Sequence, residues 1–139
     1  MLKALLITTA IAEIATGLAL LAAPALPTRI LLGVALDLPA GLTFARVAGV
    51  GMVSLGVVCW LARREGPSGT VRGLITGLLL YNFGVVGVLV YSGLGMGLSS
   101  IGLWPAVVFH TSLTAWCLAC LRAGRSLGAT HPSPPNPEF

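Results

Sequence analysis

The chain has 139 residues, of which 56% are hydrophobic and only 9% charged. Soluble domains carry about 25% Asp, Glu, Lys and Arg, so this is no ordinary water-soluble globule, nor a disordered chain, which needs low hydrophobicity and high charge. The net charge of +4 comes from basic residues that flank apolar runs; they form no stripe with interleaved aromatics, which argues against a nucleic-acid partner.

A membrane-spanning helix needs roughly 20 apolar residues, and four such runs follow one another along the sequence. The first covers residues 2–25 and stops at Pro24 and Pro27, because proline lacks a backbone donor and clashes with the preceding turn. Lys3, the apolar run and Ala22-Ala23-Pro24-Ala25 have the outline of a signal peptide, but Glu13 sits mid-run, so the segment is expected to stay as a first span. Residues 28–40, bounded by Arg29 and Asp37, are too short to span and fit an interfacial or partly re-entrant turn. The second run covers residues 42–62 and ends at Arg63-Arg64-Glu65, followed by the turn signal Gly66-Pro67-Ser68-Gly69. The third covers residues 71–94 and leads into the uncharged loop Gly93-Leu94-Gly95-Met96-Gly97 with Ser99-Ser100. The fourth covers residues 103–121 and opens on Trp104-Pro105, where proline costs nothing because first-turn donors are unpaired anyway. The expected fold is therefore all-α: an integral membrane four-helix bundle with short loops over residues 1–122. Residues 123–139 are expected to form a basic, proline-rich cytoplasmic tail, with His131-Pro132-Ser133-Pro134-Pro135-Asn136-Pro137 in extended polyproline conformation.

With four spans, both termini and the middle loop share one side. That side carries Lys3, Arg63, Arg64, Arg72, Arg122 and Arg125, against Arg29 and, just inside a span, Arg46 on the other. The positive-inside bias places both termini in the cytoplasm of a bacterial inner membrane. Tyr91 and Trp104 then fall near the outer interface and Trp60 near the inner one.

Ionisable groups at membrane depth cost about 2.5–3.5 kcal/mol on insertion scales and usually face the bundle interior or a wet cavity. Glu13, Arg46 and His110 are such groups, and Tyr81-Asn82 adds a polar pair. A rise of about 1.5 Å per residue from Lys3, Arg72 and Arg122 puts Glu13 and Asn82 roughly 15 Å deep and His110 roughly 18 Å deep. Three spans thus bring polar side chains to one level near the midplane. Arg46, roughly 25 Å above Arg63, could reach inward to Glu13 or snorkel outward. The cluster Glu13, Arg46, Tyr81, Asn82 and His110 reads either as interhelical glue or as a polar pocket that binds a lipophilic molecule or relays a proton.

Cys117-Leu118-Ala119-Cys120 matches C-x-x-C, a conceivable redox pair, although cysteine is also a common small apolar residue in helices. An odd total of three cysteines, with Cys59, does not form a disulfide framework. No residue set suits a metal. Of the 18 glycines, Gly73 and Gly77 form a GxxxG, Gly84 and Gly87 continue it, and Ala45 and Gly49 repeat the small-xxx-small pattern. Such faces let helices approach closely, within the bundle or toward another subunit.

Glu13 followed by Gly17-Leu18-Ala19-Leu20-Leu21-Ala22-Ala23-Pro24, then Ala45-Arg46-Val47-Ala48-Gly49 with Leu55-Gly56, resembles small bacterial DoxX-like membrane proteins. The resemblance spans about three helices. It implies a four-helix membrane bundle, and some members of that group are tied to quinone-linked oxidation of sulfur compounds. Ala12-Glu13-Ile14-Ala15-Thr16-Gly17 is also similar to the first span of small multidrug transporters, whose carboxylate is essential, but Arg46 and His110 are foreign to that pattern.

No motif with fixed catalytic spacing occurs, and the loops are too short for a soluble active site. The expected role is a non-catalytic accessory or structural subunit of a larger membrane complex, with the lipid bilayer and other membrane subunits as partners. The alternative is a binder or oxidoreductase for a quinone-like or other lipophilic molecule, with a quinone, a lipid or a partner-supplied pigment as the bound group. A proton-coupled exporter using Glu13 comes last.

Overall fold

Helix ends fall where the backbone chemistry demands them. In the computed structural model, which describes residues 1–128 and their side chains through residue 123, α1 runs Leu2–Ala22 and a short α2 runs Ala25–Leu32. Helix α3 runs Pro39–Ala62 with proline in its first turn, and α4 runs Gly69–Val90. A π-helical turn, Tyr91–Gly95, extends α4, and α5 runs Leu103–Gly128. The Ser68 hydroxyl caps α4 by accepting from the Val71 N–H at 3.2 Å. Gly33, at φ +77°, closes α2 in the left-handed conformation, its N–H donating to Arg29 O. Residues 25–32, read from sequence as the end of the first span running into a non-spanning turn, are thus a two-turn helix. Helix α5 continues through Gly128, past residue 121 where the fourth run was expected to end. The proline-rich segment His131–Pro137 and the Arg125 side chain lie outside the described residues.

Four helices are long and apolar enough to cross a membrane: Leu2–Ala22, Pro39–Ala62, Gly69–Gly95 and Leu103–Ala123. Their outward surface is mainly apolar: Phe44, Leu80, Phe83 and Val108 are each more than 60% exposed, and the exposed Ser54, Thr76, Thr111 and Ser112 each donate to their own helix backbone. Several polar groups lie inside instead, namely Thr9, Glu13 and Asn82. That inverted pattern is what a lipid solvent selects.

The spans pair as two antiparallel hairpins, α1 with α3 and α4 with α5. The first hairpin is a glycine seam. A Cβ on Gly17 would sit 2.7 Å from the Gly49 carbonyl oxygen, and one on Gly56 would sit 3.0 Å from the Ala10 carbonyl oxygen. The hairpins meet around a core of Leu5, Leu6, Cys59, Ile75, Leu78, Leu113 and Cys117. These residues belong to the half of the bundle that holds Met1 and the α3–α4 connection. In the other half a cleft opens between the hairpins, and α2 contributes to its wall. The Gly102 N–H donates to Ile30 O at 3.0 Å, which pins α2 to the start of α5.

Within the core, Thr9 Oγ1 is sealed from solvent and has no hydrogen-bond partner. An unsatisfied buried hydroxyl costs about 1–3 kcal/mol. Thr9→Val, nearly the same shape, should therefore stabilise the bundle by about 1 kcal/mol. The midpoint of unfolding in mixed detergent micelles checks this; a lower midpoint would show that the hydroxyl has a partner.

Candidate functional site

The site begins with three side chains on three helices. Glu13 on α1 is 2% exposed and Asn82 on α4 is 1% exposed. His110 on α5 is half-buried. Helix periodicity turns Glu13 and Asn82 inward, while the nearby Ile11 and Phe83 are exposed on the outside of the bundle.

Two hydrogen bonds organise the group. The Tyr81 hydroxyl donates to Glu13 Oε2 at 3.1 Å, tying α4 to α1. His110 Nδ1 lies 2.7 Å from Asn82 Oδ1, tying α5 to α4. Asn82 Nδ2 in turn donates to Leu78 O at 2.7 Å. The His110 ring stands edge-on to two aromatic rings, Phe109 with centroids 5.5 Å apart and Tyr81 at 6.2 Å.

Glu13, Tyr81 and His110 line a cleft of about 870 Å³ between the two hairpins, with Asn82 buried behind His110. Its walls are mainly apolar, with Ala15, Ala19 and Leu20 from α1, Leu26 and Leu31 from α2, Val85 and Leu89 from α4, and Ala106 and Phe109 from α5, and with Thr16 and Thr28 among them. Glu13, Tyr81 and His110 contribute the polar surface at one end, and the pinned α2 covers the other.

Of the residues singled out from sequence, Glu13, Tyr81, Asn82 and His110 come together. Arg46 stands apart. Its side chain is exposed, and its Nε reaches Leu21 O at 3.4 Å rather than the Glu13 carboxyl. It lies in the second turn of α3, seventeen positions before Arg63 and so at the opposite end of that helix, a place from which a long cationic side chain can reach out of the apolar layer.

Gly49 lies in the α1–α3 seam, whereas Gly73, Gly77, Gly84 and Gly87 have open space where a side chain would be and face outward. Gly17 and Gly56, the other two members of the seam, were not singled out from sequence. The seven-residue spacing of Gly49 and Gly56 was the available signal, since it keeps both on one helix face.

All three cysteines are free thiols; Cys59 and Cys117 are buried in the core, and Cys120 lies further toward the end of α5. Among the described residues, no group of three His, Cys, Asp or Glu side chains is placed to hold a metal ion. Compared with known protein families, curated proteins and solved structures, the chain matches none.

Proposed function

We propose that this multi-pass membrane protein binds a lipophilic small molecule, quinone-like or otherwise ring-bearing, in the cleft between its two helix hairpins. The observation that carries the reading is the cleft itself, about 870 Å³ of apolar-walled space with Glu13, Tyr81 and His110 at one end. Small-molecule sites are typically about 300–1,000 Å³, mostly apolar, with a few convergent polar groups that fix orientation. A bundle whose polar residues served only as glue would close over them. Here the polar cluster opens on a space large enough for a ring system. The resemblance to DoxX-like proteins points the same way.

The test is to purify the protein in mild detergent and identify co-extracted lipophiles by mass spectrometry. Ala106→Trp fills the cleft from its wall and should strip the bound molecule while leaving the helical content unchanged. Retention at the wild-type level would sink the proposal.

A second reading has its own observation. Gly73, Gly77, Gly84 and Gly87 share one outward stripe of α4 with nothing packed on it. Such a stripe admits a helix of another membrane subunit at close range, which suits an accessory subunit of a larger complex. A stoichiometric membrane partner that is lost on Gly77→Leu, with cleft occupancy unaffected, would favour it.

The orientation belongs to the same proposal. Met1, Pro67, Ser68, Arg72 and Ala123 gather around one shallow groove, so the N-terminus, the α3–α4 connection and the end of α5 share one end of the bundle. Arg63 and Arg64 lie beside that connection, Arg63 stacked 3.7 Å over the Trp60 ring. Arg29 and Arg46 lie toward the opposite end. The charge bias places the first end in the cytoplasm of a bacterial inner membrane. A cysteine at Gly66 should resist a membrane-impermeant maleimide in intact spheroplasts, and one at Ser99 should react. The reverse pattern inverts the topology.

A further inference from the structure

The hydrogen bonds at the base of the cleft fix more than position. Asn82 Nδ2 donates to Leu78 O, so Asn82 Oδ1 is the atom facing His110. Flipping the amide would set its oxygen 2.7 Å from the Leu78 carbonyl oxygen, acceptor against acceptor. His110 Nδ1 must therefore carry the hydrogen. In the neutral imidazole the other nitrogen, Nε2, then keeps a bare lone pair.

Nε2 has no hydrogen-bond partner among the described residues, and it is not sealed in the protein, since Thr9 Oγ1 is the buried atom without a partner there. His110 lines the cleft and Asn82 does not. Because His110 lines the cleft, this unbonded and unsealed nitrogen is the acceptor that its ring has to offer a molecule bound there. Glu13 repeats the pattern: Oε2 is taken by Tyr81, and Oε1 is neither bonded nor sealed. The rings of Tyr81 and Phe109, edge-on to His110, make this end of the cleft aromatic.

We infer that the cleft selects aromatic lipophiles bearing a hydroxyl group, whose O–H donates to Nε2 of His110. The inference rests on the cleft being a ligand site, and it names the chemistry that site prefers. A lipophile of the same shape without a donor leaves Nε2 facing apolar surface, and a polar atom left unpaired is what makes such sites selective.

The test uses the full chain in phosphatidylcholine nanodiscs with tritiated para-octylphenol as probe. Unlabelled para-octylphenol and para-octylanisole, its methyl ether, compete, with affinities expressed as lipid mole fractions. On the wild type the ether should compete at least about tenfold more weakly. In His110→Phe, which keeps a ring but removes the acceptor, the two should compete within about twofold. Ala106→Trp should abolish saturable binding of the probe.

Nitrogen NMR of the His110 ring gives a readout that needs no variant at that position. Nε2 should shift toward its hydrogen-bonded value when the phenol is added, and not with the ether. If phenol and ether compete equally on the wild type and Ala106→Trp removes both, hydroxyl selection is refuted while the cleft remains a ligand site. Selectivity that survives in His110→Phe removes His110 as the acceptor and overturns the inference too. If the wild type binds neither compound saturably, both the inference and the binding reading beneath it fall.

Discussion

Gly17→Ala should destabilise the bundle by about 2–3 kcal/mol, a large effect for a single methyl group. The added Cβ would stand 2.7 Å from the Gly49 carbonyl oxygen and 2.9 Å from the Val53 backbone nitrogen. Both are backbone atoms of α3, so no rotamer change can relieve the overlap and the helices must move apart. Their separation forfeits the close packing that drives helix association in lipid, where tails compete equally for apolar surface. The contrasting substitution is Gly77→Ala, whose Cβ would meet nothing within 4 Å. Removing a glycine from a helix interior is favourable by up to about 1 kcal/mol, so that variant should be neutral or slightly more stable. Unfolding midpoints in mixed micelles compare the two. Equal midpoints for Gly17→Ala and the wild type would mean that α1 and α3 do not make this contact.

The second large effect concerns the pair at the base of the cleft. Asn82→Leu strips His110 Nδ1–H of its acceptor and leaves Leu78 O with one partner fewer. The expected loss is about 1–2 kcal/mol, toward the upper end of what interhelical hydrogen bonds contribute in membranes because Asn82 is buried. His110→Phe should cost a similar amount by orphaning Asn82 Oδ1. The double variant should cost clearly less than the sum, because replacing both partners leaves neither one unsatisfied. A thermodynamic cycle should return a coupling of about 1 kcal/mol. Strict additivity would show that the two side chains do not bond.

The spans were legible because lipid demands long apolar runs and because proline, glycine and arginine punctuate their ends. Leu2 through Ala22 and Leu103 onward could be read almost directly. The inward faces were harder. In a helix apolar all round, periodicity does not separate residues that touch lipid from residues that touch another helix. That is why Gly73 and Gly77 read as a packing motif yet face outward, while Gly17 and Gly56, in no G-x-x-x-G, sit in the closest contact. Glu13, Asn82 and His110 at mid-helix escape this ambiguity, since the cost of their polar groups in lipid favours the bundle interior, whereas Ser and Thr on the spans can turn outward by bonding their own helix backbone. Counting helical rise alone was therefore enough to bring Glu13, Asn82 and His110 to one level. The same count put Arg46 nearer the outer face and left open whether it turns inward to Glu13. Helix α2 was hidden for another reason. Eight residues are too few for a period to show, and what shapes them is tertiary: the bond from Gly102 to Ile30 and the left-handed turn at Gly33.

The pairing of the hairpins also sets an order of assembly during synthesis. Helix α1 is made first, and its seam partner α3 follows after a 16-residue connection, so the first hairpin can close while the ribosome is still translating. Glu13, however, waits for Tyr81, which lies 68 residues downstream. Until α4 arrives, the carboxyl stands in the bilayer with no phenol beside it, and the hydropathy of the rest of α1 has to carry it across. The floor of the cleft is thus completed late, and a nascent chain halted between the hairpins would offer quality-control proteases a bare carboxyl in the membrane as the mark of unfinished work.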